Sequence, residues 1–145
     1  MLQAVQPANA QQALGAAISL AAHSRLYFDA YLFTVATRML AGIENKQAIF
    51  IADSAQREVV GFATYALLGG EPLLATEHKL RGIGKSEWNC GDTVWLMDYV
   101  WPSEEVRAMI IREIKARHPK AASIKMHEAD HTYPLHNTLR LDSIS

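Results

Sequence analysis

The run "TVWLMDYVW", Thr93 to Trp101, does most to constrain what this chain can fold into. It is rich in β-branched and aromatic residues, and Pro102, which has no N–H for a ladder, closes it, so it reads as a strand. It carries a single acid. Alternation along a strand places Val94, Leu96, Asp98 and Val100 on one face and Trp95, Met97, Tyr99 and Trp101 on the other. Asp98 would then share its face with aliphatic side chains, where a carboxylate costs free energy unless it has a partner. Two roles are open for it: an edge-strand acid paired with Arg or Lys, or a functional acid.

The surrounding chain supplies the layers that such a strand needs. Residues 1–9 are small and polar around Pro7 and are expected to form a loose arm, leaving one domain over residues 10–145. "AQQALGAAISLAAHS" is helix-permissive, and from Leu26 to Ile43 apolar residues recur at three-to-four spacing, which predicts an amphipathic helix ending near Gly42. "QAIFIAD" and "EVVGFATYALL", separated by "SAQR", read as a hairpin, and "GGE" breaks the chain after Leu68. The segment "PLLATEHKLRGIGKSEWNCGD" has no clear period and is expected to be irregular. Ser103, followed by acids, an apolar face through Val106, Met109, Ile110 and Ile114, and basic residues before Pro119, marks a second helix. "ASIKMHE" and "HNTLRLDS" could add strands. The sum is an α/β domain with a mixed central sheet flanked by helices.

Composition excludes several function classes. The chain has 145 residues, half of them hydrophobic, enough for one domain with a real core. With 14 basic and 15 acidic residues the net charge is −1, which is no footprint for nucleic acid. A single cysteine, Cys90, rules out an internal disulfide framework and suits a reducing compartment, so a cytoplasmic location is expected. The N-terminus lacks the basic region of a signal peptide, and no apolar run reaches the about 20 residues of a membrane span.

Three short motifs suggest chemistry. "HEADH", His127 to His131, matches the zinc signature H-E-x-x-H, with His136 as a possible third ligand; a zinc hydrolase is one alternative function. That signature needs a helix, whereas "SIKM" alternates like a strand and "TYP" favours a turn, so a solvated loop and no metal are expected. "RGIGKS", Arg81 to Ser86, resembles phosphate-binding loops and the pyrophosphate loop of coenzyme-A-dependent N-acetyltransferases, but lacks the following helical period. Cys90 has no neighbouring base in sequence and is not taken as a nucleophile.

The segment "WNCGDTVWLMDYVWP", followed by a helix ending "ARHP", resembles the signature region of the toxin-activating lysine acyltransferases, the haemolysin-activator family. Trp88, Gly91, Asp92, Trp95, Asp98 and Pro102 match the family pattern W-x-x-G-D-x-x-W-[IFL]-[IM]-D-W-[IV]-A-P in order. "GFATYALL", "QAIFIADSAQREVV" and "LGAAISLAAHSRLYFDAYLFTVATRMLAGI" resemble upstream family segments, so the likeness covers roughly residues 14–120.

The resemblance implies a fold similar to the N-acetyltransferase fold. It also implies an acyltransferase that takes a fatty acyl group from acyl carrier protein, with no bound cofactor, and places it on an internal lysine of an RTX-type protoxin. A lysine ammonium, with a pKa of about 10.4, must lose a proton before it attacks a thioester; a neutral imidazole can take that proton and a carboxylate can orient the imidazole. Asp98 falls on the family's catalytic aspartate. The catalytic histidine falls on Tyr27, the nearest histidine is His23, and a helix-face asparagine of the family corresponds to Arg38. His23 is accordingly the expected general base, one helical turn away, with Asp98 as its partner and Tyr27, Trp95 and Asp92 lining the site. Gly91 is expected to allow a tight turn. Lys79, Arg81 and Lys85 are candidate contacts for the acidic carrier protein, or simply a solvated basic loop. A homodimer is expected from the resemblance alone. The departure at Tyr27 leaves a second alternative, a non-catalytic adaptor that binds carrier protein or toxin.

Overall fold

A computed structural model of the chain describes residues 1–27, 29–121, 123–128 and 135–140. Its sheet has six strands in sequence order: β1 (Leu2–Val5), β2 (Ala48–Asp53), β3 (Glu58–Leu68), β4 (Thr93–Val100), β5 (Ser123–Glu128) and β6 (Leu135–Arg140). All neighbours are antiparallel except β4 and β5, which are parallel. Helices α1 (Ala10–Ala21) and α2 (Leu32–Glu44) pack on one face, against Phe50 and Phe62. Helix α4 (Glu104–Arg117) covers the other face, over Ile49, Ile51, Ala63 and Tyr65. The sheet is thus covered on both faces, so β3 is buried almost throughout Gly61–Leu68 and reads as a continuous apolar run rather than an alternating one.

Helix α4 forms where its sequence signals placed it. The Ser103 hydroxyl accepts from the Val106 N–H at 3.2 Å, Glu104 and Glu105 occupy the first turn, and Lys115 and Arg117 the last. Val106, Ile110, Ile111 and Ile114 are at most 2% exposed, and each buried side chain contributes roughly 1.5–3 kcal/mol of hydrophobic stabilisation. The β2–β3 hairpin also forms as expected.

Three expectations are corrected. The first residues are not a loose arm: Leu2–Val5 pair with β2 from Leu2↔Asp53 to Val5↔Phe50. An edge strand is held mainly by main-chain hydrogen bonds, which a segment of only four residues, LQAV, signals weakly in its side-chain pattern. The helix expected from Leu26 begins only at Leu32, because Arg25–Tyr27 forms a separate 3₁₀ turn and Tyr31 is extended. Leu26, Tyr31 and Leu32, which contributed to the apolar period, are exposed. The segment after Leu68 contains α3 (Gly70–Glu77), with Pro72 in its first turn, where its missing N–H costs nothing.

Gly91 is needed for a reason other than a tight turn. Residues 88–91 run along the end of β3, with Cys90 and Gly91 N–H both donating to the Leu67 carbonyl at 2.8 and 3.1 Å. A Cβ at Gly91 would collide with the Leu68 carbonyl and the Gly69 nitrogen, so close backbone approach excludes a side chain there. Gly15, on the exposed side of α1, has nothing within 4 Å of a built Cβ. Gly91→Ala is therefore expected to destabilise the fold by about 1–3 kcal/mol. Gly15→Ala should stabilise it by about 0.5–1 kcal/mol. Urea denaturation of the two variants beside the parent checks both signs.

Candidate active site

The site begins with an irregularity in the sheet. Thr64 of β3 pairs with Asp98 of β4, but the next residue, Tyr65, pairs with Leu96, so Met97 is an extra residue on β4. Such a bulge turns the side chains that follow it to the opposite face from strict alternation. Val94 and Leu96 face the α4 core, whereas Trp95 and Met97 face the Trp88 cluster beside α2. Beyond the bulge Tyr99 and Trp101 return to the α4 core, Val100 packs against the α1–α2 cluster, and Asp98 bonds to α2. Asp98 therefore does not share a face with Leu96 as alternation predicts; the extra residue aims it at the helices.

Asp98 is 1% exposed and fully engaged. Arg38 of α2 clamps it with two bonds, Nε to Oδ2 at 2.7 Å and Nη2 to Oδ1 at 2.6 Å. The Tyr27 hydroxyl donates to Oδ1 at 2.8 Å and accepts the Tyr99 N–H at 3.1 Å. This second bond ties the 3₁₀ turn to the strand and accounts for the break between the turn and α2. Burial, then the negative Asp98 and the bond to it, pushes the Tyr27 phenol far above its ordinary range, so it stays protonated. The bond to Asp98 likewise raises Arg38. Of the two roles open for Asp98 the structure shows the ion pair, formed on a central strand rather than an edge one.

Two cavities flank this cluster. One, about 510 Å³, lies between α2 and residues 82–88 and is lined by Phe33, Leu40, Ile83, Trp88 and Met97 among others. The second, about 530 Å³, is lined by Trp95, Met97, His127, Lys79 and Arg81. It opens where β4 and β5 part, since their ladder is only Val94↔Ile124 and Trp95↔Lys125. Arg38 lines both cavities.

Of the remaining expected site residues, Trp95, Lys79 and Arg81 line the second cavity and Lys85 the first, whereas His23 and Asp92 line neither. His23 follows α1, is exposed, and its Nδ1 lies 2.9 Å from the Ser19 carbonyl; it makes no hydrogen bond with Asp98. Trp95 is buried, with its ring edge-on to His127 at 4.9 Å. Asp92 is exposed ahead of β4. Arg81 is held by both Glu71 and Glu87, and Lys85 by Glu44 at 3.1 Å, while Lys79 is exposed and makes no ion pair among the described residues. In the "RGIGKS" loop the Glu87 carboxylate accepts the Gly84 N–H at 2.8 Å, an acid in the place where phosphate would sit. Arg81 and that N–H hold the Glu87 carboxyl down at about 2. Cys90 is exposed and free. In "HEADH", His127 is on strand β5 with Nε2 2.8 Å from the Thr76 carbonyl, and His131 lies outside the described residues.

Sequence reasoning marked Arg38 only as a departure and missed its role. The two departures, Tyr27 and Arg38, converge on Asp98. The available signal was that both differ at once around a retained Asp98.

A mixed sheet with helices on both faces, parted at the parallel pair β4 and β5, defines an N-acetyltransferase-like α/β fold. It superimposes on the loading GNATL domain of CurA from Lyngbya majuscula with a TM-score of 0.53 at 12% identity, covering 88% of this chain and 64% of that one. The chain belongs to the RTX toxin acyltransferase family, which it matches over residues 6–142. It is 27% identical over 116 residues to the protein-lysine palmitoyltransferases CyaC of Bordetella bronchiseptica and Bordetella parapertussis. That match covers 79% of this chain and 62% of the length of those relatives.

Removing one partner of a buried ion pair leaves a charge without compensation, at a cost of about 3–5 kcal/mol. Arg38→Met is expected at the low end, about 3 kcal/mol, because the guanidinium is 34% exposed and partly screened. Adding Asp98→Asn should restore most of the loss. A double-mutant cycle by urea denaturation measures it; equal stability of Arg38→Met and the parent would contradict the clamp.

Proposed function

We propose that this chain is a protein-lysine acyltransferase of the toxin-activating type, which accepts a fatty acyl group as a thioester of acyl carrier protein and transfers it to an internal lysine of an RTX-type protoxin. The observation that carries this is the family match through residues 6–142, which includes the strand of Asp98, whose partner Arg38 lines two cavities. The names of the Bordetella relatives, protein-lysine palmitoyltransferases, support a palmitoyl-length chain as the first to test. In the reaction the lysine nitrogen, once deprotonated, attacks the thioester carbonyl; a C–N bond forms, the C–S bond breaks and the carrier thiol leaves with a proton. Among the described residues no helix is long and apolar enough to cross a membrane, and action in the cytoplasm suits the single cysteine. A homodimer remains part of the proposal.

The closed cluster favours a second reading. The Tyr27 hydroxyl is a donor to Asp98, both Asp98 oxygens are occupied, and His23 is bonded elsewhere, so the cluster holds no free base. A positioned general base contributes about 10²–10⁴-fold to rate. Its absence fits an adaptor that binds donor or acceptor with little turnover.

One assay separates these. Purified protein is mixed with hexadecanoyl-acyl carrier protein and a protoxin, and thiol release and acceptor mass are followed for the parent, Asp98→Asn and the double variant Tyr27→His with Arg38→Asn. Transfer by the parent that is lost in Asp98→Asn supports the enzyme. A parent with binding but no transfer, beside a double variant that gains at least about 10²-fold, supports the adaptor. No binding and no transfer in any form would overturn both.

A further inference from the structure

The apolar cleft between α2 and residues 82–88 is not used by the clamp, and its mouth carries side chains that solvent alone does not explain. Phe33 on its rim is 83% exposed, and Leu32 and Tyr31 beside it are 67% and 83% exposed. Exposed apolar side chains next to an apolar cleft, of which Phe33 lines the cleft itself, mark a ligand surface. At about 510 Å³ the cleft lies within the usual range of ligand pockets, roughly 300–1,000 Å³.

Arg38 decides which ligand. It stands where this apolar cleft meets the second cavity, whose wall carries Lys79, Arg81 and His127. Its Nε and Nη2 serve Asp98, while its Nη1 bonds no described residue. The ion pair has no net charge, so the free edge of the guanidinium offers N–H donors without strong attraction for an anion. A neutral carbonyl oxygen suits it as well as a carboxylate. A molecule that is apolar on one side of a carbonyl and polar on the other matches the two cavities.

We infer that the α2 cleft binds the alkyl tail of an acyl thioester, with its carbonyl oxygen accepting from Arg38 Nη1 and its polar thiol arm leaving through the second cavity. This rests on the acyl-transfer proposal for the choice of donor, but it concerns binding and needs no turnover. Thr37, exposed on α2 and lining the cleft, is the residue with which to close it, because its side chain takes no part in the core or the clamp.

The test titrates the full chain with S-hexadecanoyl pantetheine, S-acetyl pantetheine and hexadecanoic acid by calorimetry, using the parent, Thr37→Phe and Arg38→Gln. The parent should bind the long thioester at least tenfold more tightly than the acetyl one, and Thr37→Phe should remove that difference while leaving its melting temperature unchanged. Arg38→Gln, if it folds, should weaken both thioesters; the Thr37 result stands if it does not. Affinity independent of chain length, no effect of Thr37→Phe, or hexadecanoic acid binding more tightly than its thioester would each overturn the assignment. Binding without acyl transfer in the earlier assay would overturn only the catalytic proposal.

Discussion

The buried pair of Asp98 and Arg38 is the interaction around which this molecule is arranged. Taking a carboxylate to 1% exposure on a central strand costs several kcal/mol unless its charge and lone pairs are met. Here a bidentate guanidinium from α2 and a phenol from the 3₁₀ turn meet them together. The pair therefore fixes α2 against the sheet and holds the turn before it. It also sets the electrostatic character of the cleft, since a neutralised acid beside a partly exposed guanidinium presents donors rather than a base.

The bulge in β4 makes this possible. One additional residue at Met97 lets two consecutive side chains, Met97 and Asp98, serve the α2 side of the sheet. Tyr99 and Trp101, both partly buried, then return to the α4 core. In a regular strand the acid would share its face with Val94 and Leu96, against the apolar Ile110–Ile114 side of α4 and away from Arg38. The same strand separates from β5 after two paired positions, so the irregular stretch lies at the mouth of the second cavity.

The surrounding basic residues behave differently from Arg38. Arg81 with Glu71 and Glu87, and Lys85 with Glu44, are exposed ion pairs that order the 81–88 loop and carry little stability of their own. Their effect is to hold Ile83 and Trp88 as one wall of the apolar cleft. A loop that resembles a phosphate binder by its glycines is thus satisfied internally by Glu87.

Much of the fold was legible in the sequence because it depends on local period and capping. The β2–β3 hairpin, the strand after Gly91, the Ser103 cap and the α4 apolar face all follow from side-chain spacing and short-range hydrogen bonds. The identity of Asp98 as the costly residue was legible too, since a lone acid in an apolar run must find a partner. Which face it takes and which partner it finds were not, because both depend on contacts across 60 and 71 positions of sequence and on one unpaired residue in a ladder. The edge strand at Leu2–Val5 escaped notice for a related reason, as main-chain pairing leaves little side-chain pattern. His23 was placed near Asp98 by continuing a helix that the Tyr27 bond interrupts. Sequence alone determined that an acid had to be compensated; the tertiary structure decided that Arg38 and Tyr27 compensate it, because only packing brings distant donors within hydrogen-bond reach of a buried charge.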